Sequence, residues 1–263
     1  MATQQRAKSA AVPLARVGIH DIGICVGRGI RDWMRAPVVS IAIAAIYTVG
    51  GWALAVLMVV LAMPYLVYPL AMGFALIAPF VAIAFYDVSR RLQAGAPVSV
   101  SAVWQTVNEV RRRDVRWMAL ITAFAFFIWM DIAAMLTLSF FGAMALDFDA
   151  LLTAILTTQL GWVFLIAGHV VGAVIAFLVF SIAVISFPML YDRDVDVMTA
   201  MITSVRLVRR NPIAMIVWCG VIAVAIAAAI ASALLLLPLI LPVLGYATWH
   251  LYQHAVVATP ESE

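Results

Sequence analysis

The chain has 263 residues, of which 66% are apolar and 11% are charged, and its formal net charge is +3. This apolar share leaves too little polar surface to cover a soluble globule, so the composition excludes an ordinary soluble domain and indicates a membrane protein. The basic residues stand next to apolar stretches, which favours anionic lipid headgroups as their counter-charge and argues against a partner of DNA or RNA.

The distribution of basic residues predicts how the chain crosses the membrane. All sixteen Lys and Arg residues fall into three blocks, at 6–35, 90–116 and 193–210. Positive charge collects on the cytoplasmic side, so an apolar stretch between two blocks crosses an even number of times. Each apolar stretch is long enough for two helices of about 20 residues. We therefore predict six transmembrane helices, arranged as three hairpins, at about 38–60, 65–86, 117–141, 162–188, 213–235 and 239–257. No signal-peptide pattern is visible, so both termini are expected in the cytoplasm.

An amphipathic segment that ends in an Arg-rich elbow precedes each apolar stretch. The predicted apolar faces of these segments are Ile19, Ile22, Val26, Ile30 and Trp33; Val100, Val103, Trp104, Val107 and Val110; and Met198, Met201, Ile202, Val205 and Val208. Their spacing favours helices, which Ser99 or Ser101 and Asp194 or Asp196 could cap in the second and third segments. Each is predicted to lie as an interfacial helix in the headgroup layer.

These segments and their hairpins form a threefold repeat. The second helix of each hairpin ends alike, in Tyr86-Asp87, Tyr191-Asp192 and Tyr252-Gln253. We predict repeat units at about 18–87, 98–192 and 194–254. They lie within a single transmembrane domain at 18–258, between a flexible tail at 1–17 and a C-terminal tail at 259–263.

Asp131 is the only acid deep inside a predicted span, where an unpaired charge costs several kcal/mol. His169 lies on the neighbouring predicted span and could meet it in the outer half of the membrane. Such a pair could relay a proton or bind a cation. Equally, it could be a buried hydrogen bond that locks the hairpin.

The remaining polar groups give weaker signals. The elbow residues Arg35, Arg112, Arg113, Arg209 and Arg210 are candidate contacts for lipid phosphates, although positive charge is expected there in any case. His250 and His254 share a helical face near the last span's cytoplasmic end. Two histidines make an incomplete metal site, so they are assigned to the interfacial belt. No catalytic motif, metal site or cofactor site is recognised, and the chain is not expected to be an enzyme.

Several blocks resemble a bacterial family of predicted six-span integral membrane proteins with no assigned activity. They are Gly73 to Pro79, Ser89 to Leu92, Phe180 to Arg193, Thr199 to Met201, Asn211-Pro212 and Ala247 to His250. The resemblance implies an inner-membrane protein. The chain has four histidines, which cannot hold two haems and a copper. Any link to an oxidase could therefore only be that of an accessory or assembly partner.

The functional hypothesis is therefore a non-enzymatic accessory or scaffold protein of the inner membrane. It would contact anionic lipids and another membrane complex, for which a respiratory complex is one candidate. The alternative is a small transporter or channel that uses Asp131 and His169, and a membrane enzyme acting on lipids comes third.

Overall fold

The structure is a computed structural model that describes residues 12–61, 78–110 and 115–256. Within these ranges the chain forms eleven α-helices and a 3-10 helix at Gly142–Leu146, and its β pairing is limited to an isolated bridge between Leu14 and Val256. The helices are α1 (Ile19–Arg35), α2 (Pro37–Val60), α3 (Ala78–Gln93), α4 (Val100–Val110), α5 (Val115–Phe141), α6 (Phe148–Thr157), α7 (Gln159–Ala183), α8 (Ser186–Asp192), α9 (Val197–Arg210), α10 (Pro212–Ala231) and α11 (Leu237–Ala255). The expected all-α fold is confirmed.

Four helical stretches are long and apolar enough to cross a membrane: Pro37–Leu57, Trp117–Ala145, Gln159–Asp192 and Pro212–Ala231. They overlap the first, third, fourth and fifth predicted spans. Most of the second predicted span, 65–86, lies outside the described residues. The sixth lies on α11, which carries polar side chains towards its C-terminal end and is not among the four. A multi-pass membrane protein is thus supported, and the count of six spans stays a prediction.

The described chain divides into two compact units. The first contains the described parts of Met1–Gly50, Ala78–Met118 and Ser181–Glu263, and the second those of Gly51–Ile77 and Ala119–Phe180. In the first unit, α11 packs closely on α1 and α3. A Cβ atom on Gly29 of α1 would lie 2.8 Å from the carbonyl oxygen of Val243, and one on Gly245 of α11 would lie 2.9 Å from the ring of Phe85. Both helix contacts therefore require glycine, since a Cβ atom at either position would clash; small residues are common where membrane helices approach closely.

Two of the Arg-rich elbows have the same backbone geometry. Ala36, between α1 and α2, has φ −134° and ψ 53°, and Asn211, between α9 and α10, has φ −132° and ψ 56°. In each elbow the N–H bonds the carbonyl four residues earlier, and a proline opens the next helix, where its missing N–H costs least. The second elbow, residues 111–114, lies outside the described residues.

The fourth predicted span is interrupted between α7 and α8. The helix breaks just before Pro188, whose ring cannot extend the helical hydrogen bonding. Ser204 of α9 repairs the break, because its hydroxyl donates to the Ser181 carbonyl at 2.8 Å and accepts the Ile185 N–H at 3.4 Å. Ser204 is completely buried, so the serine replaces backbone bonds that water cannot reach.

The connection between the third and fourth predicted spans, which contains Asp147 and Asp149, is largely helical. Asp147 caps α6, since its carboxylate accepts the Ala150 N–H at 3.1 Å, and Asp149 lies in the first turn. A negative charge at a helix N-terminus is favourable because it meets the positive end of the helix dipole. Asp147 and Asp149 are thus a helix-start signal in the local sequence.

In the second unit, α5 and α7 meet through one small residue and a group of aromatic rings. A Cβ atom on Gly172 of α7 would lie 3.3 Å from the ring of Trp129 on α5. Farther along the same pair of helices, Phe164 packs edge-on against Phe140 and Phe141, with ring centroids 5.6 and 5.2 Å apart. The face of α5 that carries Trp129 is therefore the one that packs on α7.

Much of the apolar face that the spacing predicted for each interfacial helix is exposed. In α1 the buried residues are Ile22, Cys25, Gly29 and Asp32, whereas Ile19 and Ile30 are exposed. In α9, Met198 and Ile202 are exposed while Thr203 and Ser204 are buried. Part of each apolar face is thus open to its surroundings, and small or polar residues are buried beside apolar ones such as Ile22 and Leu207.

The helix caps follow the sequence signals. Ser99 accepts the N–H of Ala102 in front of α4, and Asp196, rather than Asp194, accepts the N–H of Thr199 in front of α9. In the first turn of α1, Asp21 accepts the N–H of the capping residue Gly18 at 2.8 Å, and this bond holds the pKa of the Asp21 carboxyl below its ordinary value.

Candidate functional site

A group of buried polar side chains joins α1, α3 and α11 in the first unit. One oxygen of Asp32 accepts the Ser89 hydroxyl at 2.6 Å and lies 2.8 Å from Nε2 of His250. Asp32, Ser89 and His250 are all buried. Because an ionised carboxylate only accepts, Nε2 of His250 must carry a proton to bond it. The contact fixes α1 and α3 to α11 through a single carboxylate oxygen.

These three residue types are those of a serine hydrolase triad, but their order differs. In such a triad histidine lies between serine and the acid, so that it can remove the serine proton. Here Asp32 lies between Ser89 and His250, and the serine proton points at the carboxylate. The geometry favours a structural tie between helices rather than an activated nucleophile.

A second group surrounds Asp87, whose side chain is completely buried. Arg91 Nε donates to Asp87 Oδ2 at 2.7 Å, Arg90 Nη2 donates to Oδ1 at 3.2 Å, and the Tyr191 hydroxyl donates to Oδ1 at 2.8 Å. Arg91 also donates to Thr106 Oγ1 of α4 at 3.0 Å. These contacts tie α3 to α4 and α8. Because Asp87 is completely buried, these three donors together replace the water that its carboxylate would otherwise bind.

A third group repeats this arrangement one repeat unit later. The Tyr252 hydroxyl of α11 donates to Asp192 at 2.7 Å and accepts from Arg193 Nε at 3.1 Å. Tyr191 therefore bonds the acid of the preceding unit, and Tyr252 does the same. At the equivalent place in the third unit, Gln253 exchanges amide hydrogen bonds with Gln93 at 3.0 and 2.9 Å.

Aromatic rings fill the space between the polar groups. Trp249 stacks on Tyr86 with ring centroids 5.9 Å apart, and it meets Tyr191 edge-on at 5.6 Å. The guanidinium of Arg90 lies 4.7 Å from the centre of the Tyr191 ring, within the range of a cation–π contact. A low-polarity surrounding of this kind strengthens each of the buried hydrogen bonds.

The structure does not join Asp131 to His169. Asp131 is exposed on α5, two residues beyond Trp129 and so on roughly the opposite side of the helix from α7. His169 is exposed on α7, and its Nδ1 donates to the carbonyl of Leu165 at 2.7 Å. Across the described ranges, no hydrogen bond or ion pair connects the two side chains.

The candidate lipid-contact arginines have mixed outcomes. Arg35, Arg209 and Arg210 are exposed at the ends of α1 and α9, and no carboxylate of the described chain forms a salt bridge with them. Arg112 and Arg113 lie outside the described residues. The guanidinium groups of Arg35, Arg209 and Arg210 are therefore accessible to an external anion.

Sequence reasoning missed the buried groups. It assigned His250 to an interfacial belt, whereas His250 is buried against Asp32, and His254 lies 3.5 Å from Asp21. The spacing of Asp87 to Arg90 and Arg91, at i+3 and i+4, was a detectable signal. The contacts of Asp32 join residues more than fifty positions apart and leave no local trace. In the part of the chain that is described, no three metal-ligating side chains come together.

Comparison with known families identifies part of the chain. Residues 66–192 match the model of a family described as a predicted integral membrane protein (DUF2189). The matched segment, somewhat less than half of the chain, is similar to this family. It contains the Asp87–Tyr191 contact as well as Asp131 and His169, whereas Asp32 and His250 lie outside it. Comparison with curated proteins and with solved structures gave no match.

Proposed function

We propose that this chain is a six-span protein of the bacterial inner membrane with both termini in the cytoplasm. The three basic blocks support this topology, because arginines cluster on the cytoplasmic side. The exposed apolar residues of α1 and α9 also support it. Ile19, Ile30, Met198 and Ile202 would face lipid if these helices lay in the headgroup layer.

Within that membrane, the protein acts as a non-enzymatic accessory or scaffold protein of another complex. The observation that carries this proposal is the open face of α5. Only 6% of the most apolar part of Trp117–Ala145 is buried, and its exposed large residues include Leu120, Phe124, Phe127, Met135 and Leu138. Asp131 interrupts that face. Lipid alone could cover the apolar residues, but it offers no partner for the carboxylate.

Site-specific photocrosslinking in the native membrane tests the proposal. A photoreactive residue at Phe124 should capture a membrane protein companion, and mild detergent should release the same companion together with tagged wild type. A respiratory complex is the first candidate, on the basis of the resemblance. Ile213 on α10 is an equally exposed control that should capture far less. Lipid adducts alone at both positions, with no stoichiometric companion in the detergent extract, would refute an accessory role.

The anionic headgroups of the membrane are the second expected contact. Arg35, Arg209 and Arg210 are exposed at the ends of interfacial helices, where phosphates lie. Changing all three to glutamine should reduce the anionic lipid that co-purifies with the protein and leave the topology unchanged. Equal lipid content in both proteins would contradict the proposal.

We propose no transport function. The transport hypothesis required Asp131 and His169 to line one path, and these two side chains do not contact each other.

A further inference from the structure

Asp131 lies at the centre of an apolar surface stripe. The stripe consists of the exposed side chains of α5 that recur every three or four residues: Leu120, Phe124, Phe127, Asp131, Met135 and Leu138. In the candidate span Trp117–Ala145, fourteen positions separate Asp131 from either end (131 − 117 and 145 − 131). At about 1.5 Å per residue, this places the carboxylate near the middle of a hydrocarbon layer about 30 Å thick.

A carboxylate at that depth needs a partner that lipid cannot supply. Insertion scales assign about 2.5–3.5 kcal/mol to an aspartate at the centre of a spanning helix. Within the described chain, no side chain bonds Asp131, and α5 uses another face, at Trp129, to pack against α7. The carboxylate is therefore presented outward, in the middle of the stripe most suited to another helix.

We propose that this stripe binds a transmembrane helix of another protein that carries a lysine or arginine at the depth of Asp131. The inference rests on the proposed accessory function and names the chemistry of its partner. The apolar residues on both sides of Asp131 would pack against the partner helix, and the ion pair would fix its depth. A basic side chain buried in the membrane would in turn be neutralised by Asp131.

Charge complementarity selects this occupant over a second copy of the chain. A symmetric dimer through the stripe would bring two Asp131 carboxylates together at its axis, where like charges disfavour each other. A basic residue is attracted by the same carboxylate. The apolar stripe fits either helix, so the charge decides between them.

Purified full-length protein in lipid vesicles, with labelled synthetic peptides, tests the inference. The peptides are leucine-rich spanning helices of about 21 residues that carry a central lysine, a central leucine, or a lysine near one end. Energy transfer should show that the central-lysine peptide associates about tenfold more tightly than the other two. Asp131→Asn should remove this preference, whereas Asp149→Asn, which removes an exposed acid from α6, should retain it.

A charge exchange keeps the test decisive. Asp131→Lys should reject the lysine peptide and prefer a peptide with a central aspartate. Equal association of the three peptides with wild type would overturn the inference, and so would a preference that survives in Asp131→Asn.

Self-association would overturn it as well. In a background of Cys25→Ser and Cys219→Ser, Met135→Cys lies on the stripe and should give no disulfide-linked homodimer. Its appearance would identify a second copy as the occupant. If photocrosslinking at Phe124 captures a companion but the peptides show no preference, the accessory function is supported and only the ion pair with Asp131 is refuted.

Discussion

Replacing Gly29 by alanine tests how closely α1 and α11 approach each other. A Cβ atom at this position would lie 2.8 Å from the Val243 carbonyl oxygen, 2.9 Å from the Ala247 nitrogen and 3.3 Å from the Ala247 Cβ. The first two are backbone atoms, so no side chain can rotate to make room and the helices must separate. Forcing a methyl group into a packed contact costs about 1–3 kcal/mol.

The matched control is Gly23→Ala in the same helix, where a Cβ atom would meet nothing within 4 Å. Both variants gain about 1 kcal/mol of helix propensity, so the difference between them isolates the packing cost. Equilibrium unfolding in mixed micelles, followed by tryptophan fluorescence, should show Gly29→Ala less stable than Gly23→Ala by about 1–3 kcal/mol. Equal stability would show that α1 and α11 do not pack at the distance described.

Three further changes test individual contacts. Ser204→Ala removes the hydroxyl that bonds the Ser181 carbonyl and the Ile185 N–H at the α7–α8 break. The free energy of unfolding should therefore fall by about 1–3 kcal/mol. An unchanged value would mean that Ser204 does not repair the break. At the start of α9, hydrogen bonds from the side chain and backbone of Thr199 lower the pKa of Asp196. The ionised carboxylate therefore stabilises the folded protein above the ordinary pKa of about 3.9, and this stabilisation is lost as the pH falls through the pKa of the folded state. Asp196→Asn should keep the cap and lose this part of the acid dependence, whereas Asp196→Ala should cost about 1 kcal/mol at neutral pH. Burial raises the pKa of the Cys25 thiol to about 11, so about one thiol in a thousand is ionised at pH 8. Because maleimide reacts with the thiolate, it should label the cysteine of Ser99→Cys far faster than Cys25.

The elements that depend on local signals were predictable from the sequence. Ser99 and Asp196 mark the starts of α4 and α9, and prolines follow the ends of α1 and α9, where two elbows share one backbone geometry at Ala36 and Asn211. The break before Pro188 could also have been expected, since proline cannot continue the helical hydrogen bonding. Its repair by Ser204 could not, because that bond joins residues from different helices.

The exposed apolar faces of the interfacial helices show that the usual hydrophobic rule weakens in a membrane. Sequence periodicity assigned Ile19 and Ile30 to the apolar face of an interfacial helix, whereas in a soluble protein such a face would be buried. In lipid, an apolar side chain gains little by moving into the protein, while a polar group gains a hydrogen-bond partner there. Asp32 is accordingly buried and Ile30 exposed. In this chain, buried polar groups were a better guide to helix contacts than the apolar stripes.

The same principle distinguishes the two kinds of acid in the described chain. Asp32 and Asp87 are buried, and each accepts hydrogen bonds from at least two other side chains of the chain itself. Asp131 lies among apolar side chains but is exposed, and no side chain of the described chain bonds it. If burial of acids inside the first unit serves to join its own helices, then the outward Asp131 can serve to join a helix that the chain does not contain. The contrast between satisfied and open carboxylates therefore marks α5 as the side on which assembly with another membrane protein should be sought.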